Sequence, residues 1–263
     1  MDIGTERVIG RKDGAIGWVI FNNPARRNAI SVDMWEAIPP LFAAFDADPE
    51  IRVIVLRGQG ETFVAGADIS QFEDQRTGKE ASARYDAVTA AAFAAMSHVS
   101  KPTIAMLQGF CIGGGLAIAA TADLRLATTD CQMAIPAARL GLGYHFEGLR
   151  GLMNLVGPAF AREIMFTARR FTGAEALTMG LVNRAVPAAE LEPLVRDYAA
   201  MIADNAPLTI KAAKLALIEA AKDRDRRDMA AVKAAVVACS DSDDFKEGQA
   251  AFLGKRRPVF QGR

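Results

Sequence analysis

Cysteine is scarce in this chain of 263 residues. Cys111, Cys131 and Cys239 show no CxxC spacing and cannot all pair with one another. That argues against a disulfide framework and fits a reducing cytoplasm. Net charge is missing too: 31 Lys and Arg stand against 31 Asp and Glu, so no global field draws the chain to nucleic acid or an anionic membrane. No run of about 18 uncharged apolar residues is present to span a bilayer. The opening MDIGTERVIGRKDG has no apolar signal core. Gly/Ser linkers, internal repeats and low-complexity tracts are absent as well. What is there is 51% hydrophobic and 24% charged, the profile of one large folded domain or a domain with a small appendage.

Short runs rich in β-branched or aromatic residues predict strands over 15–21 (AIGWVIF), 51–56 (IRVIVL) and 103–107 (TIAML). Shorter strands are predicted at 124–127, 131–135 and 181–186. Helical patterns fall between them. Ser31 is placed to cap a segment beginning VDMWEAI, which Pro39-Pro40 is expected to kink or end. Residues 81–98 carry Tyr85, Val88, Ala92, Phe93 and Met96 at helical spacing. Thr172-Gly-Ala-Glu175 reads as a capping box, with Gly180 where a helix end wants a residue tolerating positive φ. This alternation predicts an α/β architecture with mostly parallel strands. From about residue 189 the pattern is helical only, which sets an expected boundary near 190–200.

Two stretches are suited to chemistry done by the backbone. ETFVAGADIS (61–70) places Ala-Gly-Ala in a side-chain-poor turn after an apolar run. GFCIGGGLAIAA (109–120) feeds three glycines into a helix N-terminus, where unpaired N–H groups and the helix dipole favour an anion. Two such amides converging on one oxygen make an oxyanion hole, able to stabilise an enolate. Either stretch alone is also what tight packing looks like. A dinucleotide-binding turn fits poorly. Gly109 stands well before the glycine triplet, and no acidic residue follows at the ribose-binding distance of about 20 residues.

Further segments occur with these two in a telling order and spacing: NNPARRNAIS (22–31), FVAGADI (63–69), KPTIAMLQGFCIGGGLAIAATADLRLA (101–127), PAARLGLG (136–143), FTGAEALTMGLVNRAVP (171–187) and AFLGKRRPVFQGR (251–263). Together they resemble the crotonase superfamily, the enoyl-CoA hydratase/isomerase family, over essentially the whole chain. The resemblance implies an α/β fold of spiralling ββα units. Residues 1–195 would form the core with an acyl-CoA site, and 196–263 a C-terminal helical region used in oligomerisation, as homotrimers or homohexamers. It implies an acyl-CoA thioester substrate, with coenzyme A present only as part of that substrate and no metal or redox cofactor. It places the thioester oxygen on the amides matching Ala67 and Gly114. The CoA nucleotide and pantetheine would fall on Arg26, Arg27 and the turn of Ala65, Ala67, Asp68 and Ile69. Lys255 and Phe252 lie in the tail that, in such oligomers, reaches toward CoA.

One departure bears on the chemistry. Family members that hydrate enoyl thioesters use two glutamates, which a gapless alignment maps to Ala117 and Ala137. A methyl group cannot accept, donate or orient a proton, so hydration by that route is not expected, and the usual isomerase acid is lost with it. The remaining candidates lie in LGLGYHFEGLR (140–150): Tyr144, His145 and Glu147. Decarboxylating members resembling methylmalonyl-CoA decarboxylase carry a tyrosine matching Tyr144, and also a histidine matching Ala67 that this chain lacks. Some dienoyl-CoA isomerases place a carboxylate where His145 stands, and histidine suits general-base work.

Plain structural readings stand beside these. Tyr144 could simply pack, His145 face solvent, Glu147 favour the N-terminus of a helix starting near Gly148, and Asp68 stabilise its turn. His98 is expected at a helix end, Asp123 and Arg125 as a structural pair, and Phe72 with the 81–97 segment along an acyl pocket. The leading reading is an acyl-CoA-transforming enzyme that stabilises a thioester enolate, with lyase or isomerase chemistry moved to the 144–147 loop. Decarboxylation survives the loss of both glutamates best and hydration worst. The reading from another class is a non-catalytic acyl-CoA-binding protein.

Overall fold

The computed structural model describes residues 3–68 and 79–263. The sheet begins with a hairpin of β1 (Val8–Asp13) and β2 (Ile16–Phe21), paired antiparallel across Gly14-Ala15, where Gly14 has φ +57°. Two-residue hairpin turns match the twist of their strands only with positive φ, which glycine supplies. β1 is not among the predicted strands because five of its six residues are exposed, so the segment reads as polar. β3 (Val53–Gly58), β4 (Thr103–Leu107), β6 (Leu124–Thr128) and β8 (Arg184–Val186) continue the sheet in parallel, in the order β1-β2-β3-β4-β6-β8. β5 (Phe110–Ile112) and β7 (Gln132–Ala134) pair separately, also parallel. β5 is hidden, in the sequence, inside the glycine-rich turn.

The helices in chain order are α1 (Val32–Ala47), α2 (Lys79–His98), α3 (Gly114–Thr121), α4 (Phe146–Thr167), α5 (Gly173–Thr178) and α6 (Ala188–Ala203), followed by α7 (Pro207–Ala220), α8 (Met229–Ser240) and α9 (Asp243–Leu253). Strand alternation sends side chains to two cores. Val19, Phe21, Ile54, Leu56, Ala105 and Leu107 meet α1, α2 and α3; Trp18, Ile20, Val55, Ile104 and Met106 meet Leu191, Val195 and Ala199 of α6. Both faces are covered, so all six residues of β2 are buried. Each large aliphatic or aromatic side chain so placed contributes about 1.5–3 kcal/mol. The division expected at 195/196 falls inside α6, and the sheet layer continues at least to Ala199.

Several local expectations are corrected. Of the two outcomes expected of Pro39-Pro40, a kink or an end, the end does not occur. The helix runs on because Met34, Trp35, Ile38, Leu41, Phe42 and Phe45 are buried along its length, which offsets the missing amide donors. Ser31 stands at the N-cap, but its hydroxyl donates to Asp33 Oδ1 and caps no helix amide. Asp123 and Arg125 use separate partners: Asp123 accepts from Thr103 N and Lys214 Nζ, each at 2.7 Å, while Arg125 donates to the carbonyls of Leu181 and Ala122. Other signals hold. Thr172 and Glu175 form a reciprocal capping box, Gly180 has φ +77°, and His98 closes α2 with Nδ1 2.8 Å from Ala94 O. No helix among the described residues is long and apolar enough to cross a membrane.

Candidate active site

Backbone pairing joins three separated segments. Ile30 N donates to Gly66 O at 2.8 Å and Asp68 N to Ile30 O at 2.9 Å, which sets Ile30 beside Ala67 in parallel register. Val64 N donates to Phe110 O and Ile112 N to Val64 O, both at 3.0 Å, so Val64 pairs with Cys111. In a parallel pair, the residue whose two neighbours carry the bonds turns its own N–H and C=O away from the partner. Ala67 is that residue. Its N–H therefore points away from Ile30, and what it meets there is the glycine turn.

Gly113 enters α3 at φ +53° with its N–H on Ala134 O at 2.8 Å, and Gly114 is the first helical residue. An amide at that position has no intrahelical partner. A Cβ on Gly114 would stand 3.8 Å from Ala67 N and 3.9 Å from Trp35 Cζ2. On Gly115 it would stand 2.2 Å from Val64 O. Gly115 is thus demanded by packing, whereas at Gly114 one methyl would fit in ordinary van der Waals contact. The turns that carry Ala67 and Gly114, the two residues singled out from sequence, therefore lie side by side, with a space between them that a single methyl would fill.

Trp35 is not among the site residues that the sequence marks. It projects from the first turn of α1 and packs tilted on Phe93, with centroids 5.3 Å apart. Its indole edge forms a wall of the same space, and its Nε1 is buried without a hydrogen-bond partner among the described residues. The sequence offers only a core-facing tryptophan, because whether its N–H finds an acceptor is a tertiary property.

The residues expected to meet CoA mostly gather beside this cradle. Arg27 is left-handed at φ +51°, its carbonyl accepts Ala65 N–H at 3.1 Å, and its guanidinium lies 5.0 Å over the Phe110 ring. Arg170, which no sequence motif marks, lies over the same ring at 5.6 Å. Arg26 is exposed and reaches buried Asp68 at 3.4 Å, which supports the turn-stabilising reading of that aspartate. Ile69 and Phe72 lie outside the described residues. Lys255 sits elsewhere: it follows α9 at φ +48°, with its N–H on Phe252 O at 3.2 Å, and both residues are exposed in the tail.

Ala117 is one turn into α3, its N–H on Gly113 O at 3.0 Å. Ala137 is buried in the 3-10 segment Pro136–Leu140, whose Pro136 Cδ would lie 3.9 Å from a Cβ on Gly113. Both alanines therefore belong to the surroundings of the glycine turn. Of the loop candidates, Tyr144 packs against the main core and under Gly148, and burial pushes its hydroxyl above the usual tyrosine range. His145 is the N-cap of α4, which starts at Phe146 and not near Gly148, so Glu147 lies in its first turn. Both of these side chains are exposed. Burial pushes the Cys131 thiol up to about 12 and raises Cys111 as well, so neither is a nucleophile near neutral pH. Among the described residues no group of three His, Cys, Asp or Glu could hold a metal ion.

A crotonase-type α/β architecture with a backbone cradle between two turns is the class of protein these features define. Residues 11–263 match the enoyl-CoA hydratase/isomerase family. The chain is 32% identical over 251 residues to the short-chain-enoyl-CoA hydratase of Clostridium acetobutylicum, covering 95% of each. It is 30% identical to the peroxisomal Delta(3,5)-Delta(2,4)-dienoyl-CoA isomerase of Arabidopsis thaliana, covering 94% of this chain and 93% of that one. A crystal structure of an enoyl-CoA hydratase/carnithine racemase from Magnetospirillum magneticum superposes with a TM-score of 0.93 at 32% identity, over 99% and 97% of the two chains. The chain belongs to the enoyl-CoA hydratase/isomerase family.

Proposed function

We propose that this protein is an acyl-CoA lyase or isomerase that polarises the thioester carbonyl with the main-chain N–H groups of Ala67 and Gly114. The observation that carries the reading is the close approach of the two turns, with a Cβ position on Gly114 only 3.8 Å from Ala67 N. Each such donor aimed at developing negative charge is worth about 2.7–4 kcal/mol in rate. Arg26 and Arg27, beside the cradle, meet the phosphates of CoA; the turn from Ala65 through Asp68 and Ile69 follows its pantetheine arm. Coenzyme A enters only as part of the substrate, and the protein needs no permanent cofactor. Lys255 acts from a neighbouring subunit of a homotrimer or homohexamer in the cytoplasm. Exposed Leu217, Met229, Val236 and Val237 on α7 and α8 and Phe252 and Leu253 on α9 support such an assembly.

With alanine at 117 and 137, the favoured reaction is loss of CO2 from a malonyl-type thioester. The bond from Cα to the carboxylate breaks, and its electron pair passes through Cα onto the thioester oxygen. The resulting enolate then takes the Tyr144 hydroxyl proton at Cα, and the phenolate recovers a proton from water. Burial keeps the Tyr144 hydroxyl protonated at neutral pH, as a donor must be. Isomerisation through His145 or Glu147 comes second and hydration third. Incubation with enoyl-, dienoyl-, 3-hydroxyacyl- and malonyl-type CoA esters, followed by mass spectrometry, should show loss of CO2 from the last. Ligands that bind by calorimetry yet emerge unchanged after long incubation would establish an acyl-CoA-binding protein without catalysis, the outcome that two missing carboxylates would then explain.

A further inference from the structure

A buried indole N–H without an acceptor is costly, because it gives up its hydrogen bond to water and gains none in return. Trp35 is 2% exposed, and its Nε1 has no partner among the described residues. A phenyl ring would fill the same wall without stranding a donor. Nε1 and Cζ2 flank the same ring carbon, so the N–H lies along the indole edge whose Cζ2 stands 3.9 Å from the Gly114 Cβ position. The unmet donor is therefore one ring carbon removed from the atom that meets the Gly114 Cβ position. Phe93 covers the ring and contributes no acceptor from its side chain. Trp18 Nε1 is likewise buried without a hydrogen-bond partner among the described residues, but it belongs to the opposite core, away from the cradle, with the guanidinium groups of Arg57 and Arg196 at 5.8 and 5.2 Å from its ring.

We propose that Trp35 Nε1 is a specificity donor that takes an acceptor oxygen carried by the acyl group beyond its thioester carbonyl. The inference rests on the thioester site proposed above and names its substrate class: acyl thioesters oxygenated near the reacting carbon, in preference to plain hydrocarbon ones. A carboxylate, a ketone and a hydroxyl share the required chemistry, since each offers a lone pair to a neutral donor. A site built around a buried donor rejects a ligand lacking the acceptor far more strongly than an apolar pocket rejects a missing methylene. The same hydrogen bond would hold a β-carboxylate in one orientation while the amides draw charge toward the thioester oxygen.

The test is calorimetric titration of the full-length protein with four CoA esters or ethers. Butanoyl-CoA is the hydrocarbon reference. 3-Oxobutanoyl-CoA and 3-hydroxybutanoyl-CoA supply neutral acceptors, and the thioether 2-carboxyethyl-CoA supplies a carboxylate that cannot leave as CO2, because no carbonyl receives its electrons. At least one oxygenated ligand should bind tenfold or more tightly than butanoyl-CoA, and Trp35→Phe should bring it down to the butanoyl-CoA level. Equal affinities in the wild type, or a preference that survives Trp35→Phe, would overturn the proposal while leaving the thioester site intact. No binding of any of the four would overturn the thioester site itself. If Trp35→Phe fails to fold, the two 15N-labelled indole N–H signals of the wild type decide the matter. One should move downfield with the preferred ligand and stay in place with butanoyl-CoA, whereas two unmoved signals would refute the assignment.

Discussion

The cradle and the 144–147 loop are built on opposite plans. At the cradle the proposed chemistry falls to main-chain amides in segments fixed by backbone pairing, and the residues of the two turns are mostly glycine and alanine. In the loop the chemistry would be carried by side chains, of which only Tyr144 is held against the core while His145 and Glu147 face solvent. A backbone donor cannot be deleted by ordinary substitution, only crowded or displaced. A side-chain donor can be removed atom by atom. Under the proposed function, polarisation of the carbonyl rests on the backbone and proton delivery on side chains that substitution can change. The alanines at 117 and 137 are consistent with that division.

The sharpest way to break the comparison is through the two neighbouring glycines. Gly115→Ala would drive a methyl to 2.2 Å from Val64 O and 2.9 Å from Val64 Cβ. Overpacking against backbone should destabilise the protein by about 3 kcal/mol, read from urea denaturation. Gly114→Ala meets nothing closer than 3.8 Å, so the fold should survive within about 1 kcal/mol. Its methyl would intrude on the space proposed for the carbonyl oxygen, however, and kcat/KM should fall about 10²–10³-fold. Equal effects of the two changes on stability would show that the open space is not there.

A smaller effect, about 10²-fold on turnover of a malonyl-type thioester with binding unchanged, is expected of Tyr144→Phe. The pH profile sharpens this. Burial raises the Tyr144 hydroxyl, so the folded protein keeps a proton that the unfolded chain releases near pH 10. Turnover should therefore hold through pH 9 and fall only above about pH 10, where this group's contribution to stability also begins to be lost. Turnover that survives Tyr144→Phe but is lost in His145→Ala would transfer the role to His145. The smallest changes belong to the exposed side chains: His145→Ala and Glu147→Gln should each alter kcat/KM by less than about threefold and stability by under about 0.5 kcal/mol.

Much of the fold is legible in the amino-acid sequence, for identifiable reasons. TIAML marks β4 at its observed bounds because it is short, apolar and flanked by turn formers. The Thr172 capping box is legible because both of its hydrogen bonds are local in sequence. The pairing of Ala67 with Gly114 comes from family resemblance, since nothing within either segment tells where the other lies. What escapes detection depends on contacts distant in sequence. β1 is an exposed edge and carries little apolar pattern, and α1 continues through two prolines only because the sheet holds its buried face. The unmet N–H of Trp35 depends on what surrounds a side chain in three dimensions, which composition and periodicity do not encode.

Isotope-edited vibrational spectroscopy of a bound acyl-CoA with a 13C-labelled thioester carbonyl tests the amide cradle itself. The carbonyl stretch should move to lower frequency on binding to the wild type, as two N–H donors draw electron density onto oxygen, and should return toward its solution position in Gly114→Ala. A bound carbonyl that absorbs where the free thioester does in water would contradict the cradle, whatever the activity of the loop.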